Sequence, residues 1–235
     1  MTLRSRASGS TLSLRALLAG LVSLLLVVAW TAPAAALEGA AAQVKRLAMI
    51  GFTVSDMERS IAFYEKVLSF EKVADTQVAG SAYDTLSGVF ASRVRVVHMK
   101  LGEQTLELTQ YISPPDGRPI PVPSRSNDLW FEHTAIVVSD MDKAYEILQR
   151  HGVRQISPEP QTIPASNVPA AGIKAFKFRD PDNHDLELLY FPEGKGNPHW
   201  HKPTNRIFLG LDHTAITVSN TEQSLKFYRD LLGLK

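Results

Sequence analysis

The chain has 235 residues, 25 lysines and arginines against 24 aspartates and glutamates, a formal net charge of +1, and no cysteine. A near-neutral balance without a basic run argues against a nucleic-acid footprint, and the missing thiols exclude disulfides, thiolate metal sites and cysteine nucleophiles. The length is enough for one or two compact domains with a real core.

The first 36 residues read as an export leader. Arg4, Arg6 and Arg15 come first, then an apolar run from Ala16 to Trp30, then Ala32, Ala34 and Ala36 around Pro33. That order predicts a secretory signal peptide cleaved after Ala36, and so a periplasmic or extracellular protein with no membrane attachment after cleavage. An uncleaved anchor is the alternative, but the run is short for a full span. Losing the leader takes three arginines from the 25 basic residues and none of the 24 acids, so the mature chain stays near neutral.

One unit is then written three times. Met49-Ile-Gly-Phe-Thr-Val-Ser-Asp56, His133-Thr-Ala-Ile-Val-Val-Ser-Asp140 and His213-Thr-Ala-Ile-Thr-Val-Ser-Asn220 are β-branched, apolar runs with strand alternation. In the second, Thr134, Ile136 and Val138 share one face and His133, Ala135 and Val137 the other. Helices follow, with capping boxes at Ser55-x-x-Glu58 and Ser219-x-x-Glu222 and a weaker one at Ser139-x-x-Asp142. Their apolar faces carry Met57, Ile61, Tyr64 and Leu68; Met141, Tyr145 and Leu148; and Leu225, Tyr228 and Leu232. Gly152 and Gly233 stand where C-caps belong, and Ser69 takes that place in the first copy.

Further strands are predicted over Arg93–Leu101 and Ile173–Arg179, each leading through a turn into Leu106-Glu107-Leu108 or Leu186-Glu187-Leu188. Weaker strands lie near Glu71–Ala79 and Arg154–Pro158. The expected organisation is therefore a βαβββ module over 44–113, a Pro-rich linker over 114–127, a second module over 128–192, and a second linker over 193–207. A third module begins at 208 and is cut short at 235. Its missing strands suggest a truncated sequence, with a Leu-Glu-Leu strand expected about 55–60 residues beyond His213.

These residues resemble the vicinal oxygen chelate superfamily, which includes glyoxalase I, methylmalonyl-CoA epimerase, extradiol dioxygenases and bleomycin-resistance proteins. The resemblance rests on His-x-x-x-x-Val-Ser-Asp, the Phe63-Tyr64 and Phe227-Tyr228 helices, and the hairpin Asp180-Pro-Asp-x-x-x-Leu-Glu-Leu. It implies an α+β fold in which paired βαβββ modules form a half-open eight-stranded sheet around a divalent metal ion (Fe, Mn, Ni, Zn or Mg). It also implies ligands from first-strand His and last-strand Glu residues: His133, Glu107, Glu187 and His213. Met49 stands where the first copy needs its His, and a thioether is a poor ligand for such cations. The first module pair would then offer His133, Glu107 and Glu187, which is not a 2-His-1-carboxylate set.

Each residue has a plainer alternative. The glutamates could be edge-strand residues facing water, and the histidines satisfied core residues. His98 could replace the missing ligand if its face were right. His199 and His201 read as linker residues, and His184 as a turn residue pointing outwards.

For function, the resemblance implies a metal-dependent lyase or isomerase acting on a small oxygenated substrate. Its metal would stabilise an enediolate, with Glu187 or Glu107 moving the proton. The alternatives are an extradiol-type dioxygenase with its site in the second module pair, and a non-catalytic, resistance-type small-molecule binder. In another arrangement the first pair only supports an active second pair. The expected partner is a small molecule, with homodimer formation left open.

Overall fold

The computed structural model describes Val44 and residues 47–234; the expected leader over 1–36 lies outside the described residues. By its contacts the chain divides into two units, one of residues 45–224 and one of 1–44 with 225–235.

In the larger unit the strands are β1 (Ile50–Thr53), β2 (Glu71–Ala79), β3 (Arg93–Leu101), β4 (Gln104–Ser113), β5 (Glu132–Val138), β6 (Gln161–Thr162), β7 (Lys174–Arg179), β8 (Asp185–Tyr190) and β9 (Phe208–Ile216). The helices are α1 (Met57–Lys66), α2 (Ser81–Ser87), α3 (Met141–Arg150) and α4 (Thr221–Leu225), the last ending at the border of the two units. The mixed α+β architecture and the βαβββ order are as expected, with α2 as an unforeseen insertion. The strands are hydrogen-bonded as two sheets rather than one of eight, in the orders β1-β4-β3-β2 and β6-β7-β8-β5-β9. First and last strands of each module lie side by side and parallel, with Gly51 opposite Glu107 and Ala135 opposite Glu187. The fifth strand of the second sheet is β9, which opens the third copy and runs antiparallel to β5.

Alternation along the strands decides what is buried. Val97, Met99 and Leu101 on β3, Leu106 and Leu108 on β4, and Phe176 and Phe178 on β7 are all within 1% of full burial. They join Ile61, Tyr64, Met141 and Leu148 from the helices, and Leu68 just beyond α1, in one core. Side chains of this size contribute about 1.5–3 kcal/mol each when buried, so the glutamates between the leucines are directed to the opposite face.

The helix caps fall one residue later than expected. Asp56 and Asp140, not Ser55 and Ser139, accept from the backbone N–H three residues on, at Arg59 and Lys143. Asn220 does the same for Gln223. The displaced serines bind elsewhere: Ser55 Oγ donates to Asp182, and Ser139 Oγ donates to the Arg206 carbonyl. Ser69 does take a positive φ of 61°, closing α1 where Gly152 closes α3.

The turn of the second module is locked onto the helix of the first. Tyr64 Oη donates to Asp180 Oδ2 (3.0 Å), and Arg59 reaches Asp182 at 2.7 Å. His184 does not point outwards. Its Nδ1 lies 2.8 Å from Asp180 Oδ2 and its ring stacks on Phe52 at 4.3 Å.

In the smaller unit, a π-helical turn spans Lys226–Leu231, Phe227 and Tyr228 meet edge to face, and the Val44 N–H donates to the Leu232 carbonyl.

Candidate metal centre

Three predicted residues converge on the second sheet. His133 on β5, Glu187 on β8 and His213 on β9 each bring one ligand atom within 4.8 Å of the others. His133 Nε2 lies 3.2 Å from Glu187 Oε2, and His213 Nε2 lies 4.0 Å from the same oxygen. The two imidazole rings meet edge to face at 5.6 Å.

Strand register explains the convergence. Lys177, Glu187 and Ala135 are directly opposite one another across β7, β8 and β5. On the far side of Ala135 the pairing slips: Thr134 faces Thr214 while Ile136 faces Leu211, so Asp212 and His213 together oppose Ala135. That is a β-bulge, one extra residue that re-aims side chains. Ala135 is fully buried and contributes only a methyl group to this row, which leaves room for Glu187 and His213 to face each other over it. His133, two residues before Ala135, shares its face.

The donor set fits a divalent cation. Two neutral imidazoles and a carboxylate are ligands for zinc, iron or manganese. Buried His133 Nε2 makes no hydrogen bond of acceptable geometry, although Glu187 Oε2 is close. Two ligand atoms about 2.1 Å from a common centre stand roughly 3 Å apart at a right angle, near the spacing His133 and Glu187 already have.

Outer contacts set the charge and orientation of the group. Lys177 Nζ lies 3.9 Å from Glu187 Oε1, 3.4 Å from His133 Nδ1, and over the Phe131 ring. Asp212 Oδ2 lies 2.9 Å from His213 Nδ1 and Trp200 Nε1 donates to Asp212 Oδ1 at 3.0 Å. The hydrogen bond between them holds the Asp212 carboxyl below the usual carboxylate range and raises the His213 imidazole above its ordinary value. A cation on Nε2 competes with the second proton, the one that turns the ring into imidazolium, so binding weakens as pH falls. Beside His133, burial pushes the Asp185 carboxyl up to about 6 despite the Arg179 guanidinium 2.8 Å away.

Glu107 is not in this group. Its carboxylate lies 3.1 Å from His98 Nε2, directly across the β3–β4 pair, so His98 does share the face of Glu107. Met49 lies just before β1 and is exposed. His199 and His201 lie in a 3-10 turn, Pro198–His201. Lys177, Asp212 and Trp200 went unnoticed in the sequence. The acid just before His213 is a weak signal, since Glu132 precedes His133 equally and instead receives a hydrogen bond from Thr214.

Comparison with known proteins agrees with the repeat. The model of the "Glyoxalase/Bleomycin resistance protein/Dioxygenase superfamily" matches residues 46–188 and resumes over 210–235. A 2-epi-5-epi-valiolone epimerase from Actinomyces sp is 32% identical over 151 residues, covering 62% of this chain and 79% of that protein. The uncharacterized protein YwkD of Bacillus subtilis is 27% identical over 61% of this chain and 95% of its own. Among solved structures, a glyoxalase I mutant from Zea mays shares the fold with a TM-score of 0.52 at 18% identity, over 81% of this chain and 56% of that one. The chain belongs to the glyoxalase/bleomycin resistance/dioxygenase superfamily.

Proposed function

We propose that this protein is a divalent-metal-dependent isomerase, an epimerase acting on a small polyoxygenated substrate, that works after export. The observation that carries the reading is the convergence of His133, Glu187 and His213 from three different strands. The similarity to an epimerase supports the reaction class, and the basic, apolar, small-residue order of the first 36 residues supports export.

His133 and His213 would hold the metal as neutral donors and Glu187 as the charged one. When bound, the metal polarises neighbouring substrate oxygens as a Lewis acid. Glu187, only 8% exposed, is screened from water and positioned to move the proton of a carbon beside those oxygens. Lys177 offsets the carboxylate charge at Glu187 Oε1, and its ammonium also lies against the Nδ1 edge of His133. A cavity of about 350 Å³ bordered by Met49, Thr105, Asp212 and His213 reaches one of the three ligands, His213, and offers room for a small substrate. Clefts of about 410 and 460 Å³ beside Trp200 are larger but expose none of the three ligands. Glu107 has no part in this reading.

The test is metal analysis of the purified full chain, followed by NMR of 2-epi-5-epi-valiolone in D2O with the stripped protein reloaded with Mn, Fe, Ni, Zn or Mg. Metal retention and deuterium incorporation at the inverted carbon are expected. No retained metal, with none restoring exchange, would leave a ligand-binding protein instead. The 2-His-1-carboxylate set also supports a second reading, an extradiol-type dioxygenase. Oxygen uptake with a catechol by the Fe(II)-loaded protein, without deuterium exchange, would favour it.

A further inference from the structure

We propose that Trp200 and Asp212 form a positioning relay for His213, so that the segment between the second and third repeats is a working part of the metal centre. The inference rests on the metal-site reading above. His213 can offer Nε2 to a cation only if Nδ1 carries the proton. Asp212 Oδ2, 2.9 Å from Nδ1, accepts a hydrogen bond from that N–H and fixes the tautomer. The other oxygen, Oδ1, accepts from Trp200 Nε1 at 3.0 Å. Asp212 therefore serves two donors with its two oxygens, and neither can be rotated away without losing the other.

The indole is itself held. A Cβ built at Gly210 would lie 2.9 Å from the Trp200 ring and 2.7 Å from Gln104 Oε1, so glycine lets both approach the β9 backbone. Gln104 Oε1 in turn accepts from the Leu211 N–H at 3.3 Å. At Gly102, with φ +63°, a Cβ would strike the Leu209 carbonyl. The β3–β4 turn of the first module and the 3-10 turn at Trp200 thus hold the same three residues, 209–211, directly before the bulge. Asp212 and His213 inherit their direction from that support.

The test is a double-mutant cycle of Trp200→Phe and Asp212→Asn in the full chain, read by zinc affinity and by the His213 tautomer in ¹⁵N NMR of the metal-free protein. Asn offers one acceptor and one donor, so beside Trp200 it must fail either the indole or the imidazole. In the Trp200→Phe background no indole competes, and the Asn oxygen is free for His213. Each single variant is expected to weaken zinc about 10–100-fold, whereas Asp212→Asn in the Trp200→Phe background costs at most about 3-fold more, a coupling that relay partners require. In the metal-free Asp212→Asn protein, His213 shifts from the Nδ1–H form to a mixture. Multiplicative losses, or an unchanged tautomer, would overturn the relay. If Trp200→Phe fails to fold, the tautomer in Asp212→Asn decides alone. Wild-type zinc affinity in Glu187→Gln would instead overturn the metal site, while the metal-free tautomer still judges the relay.

Discussion

Replacing Tyr64 by Phe removes a single oxygen from the junction between the first two modules and leaves the ring where it packs. Tyr64 is fully buried and its hydroxyl donates to Asp180 Oδ2. A hydrogen bond to a charged group contributes about 1.5–3 kcal/mol. The lower figure applies here, because Asp180 keeps other partners: His184 Nδ1 on Oδ2 at 2.8 Å, and the Asp182 and His184 N–H groups on Oδ1, both at 2.9 Å. The expected loss is about 1.5 kcal/mol, a fall in Tm of roughly 3–6 °C for a domain of this size. Asp180→Ala strips all four contacts at once and should cost about 3–5 kcal/mol. Burial, reinforced by the Asp180 charge, raises the Tyr64 hydroxyl well above its ordinary value. A raised value means the contribution is complete below about pH 10 and fades as pH rises beyond it. The gap between wild type and Tyr64→Phe, measured by urea unfolding at pH 8 and pH 10.5, should therefore narrow at the higher pH. Equal midpoints at pH 8, or a wider gap at pH 10.5, would refute the reasoning.

The remaining expectations use the same protein and simple assays. Glu187→Gln should lose most bound metal by elemental analysis while Glu107→Gln keeps it, because only Glu187 lies with two imidazoles; equal retention would contradict the assignment. Asp140→Ala should destabilise by about 1 kcal/mol through its lost cap on the Lys143 N–H. Ser139→Ala should cost clearly less in the same denaturation series; the reverse order would restore the serine cap. Leu108→Ala, at a fully buried site between the sheets and helices, should cost about 2–5 kcal/mol, and a cost under 1 kcal/mol would mean the core is not packed there.

Local periodicity determined much of this protein. The alternation of Thr134, Ile136 and Val138 against His133 and Ala135, and of the leucines around Glu187, is enough to predict the strands and the side each glutamate faces. Repeating the unit made the family legible, because three weak similarities at matching positions are stronger than one. Local pattern also placed β2 and β3, whose observed bounds match the predicted spans Glu71–Ala79 and Arg93–Leu101.

What the sequence left open was decided by contacts between residues far apart in the chain. Glu107 and Glu187 look equivalent along the chain, yet one lies opposite His98 and the other beside His133 and His213. Pairing of β5 with β8 brings His133 to Glu187, where the first copy has Met49, and pairing of β9 with β5 adds His213; no local signal announces which of several apolar strands will be the neighbour of β9. A one-residue bulge then turns Asp212 and His213 onto one row, which strict alternation would have split between opposite faces. Trp200, read as part of a spacer, touches the centre only because the chain folds back 12 residues later to Asp212. Composition and period specify which residues enter the apolar core; register and chain return specify which of the polar ones meet.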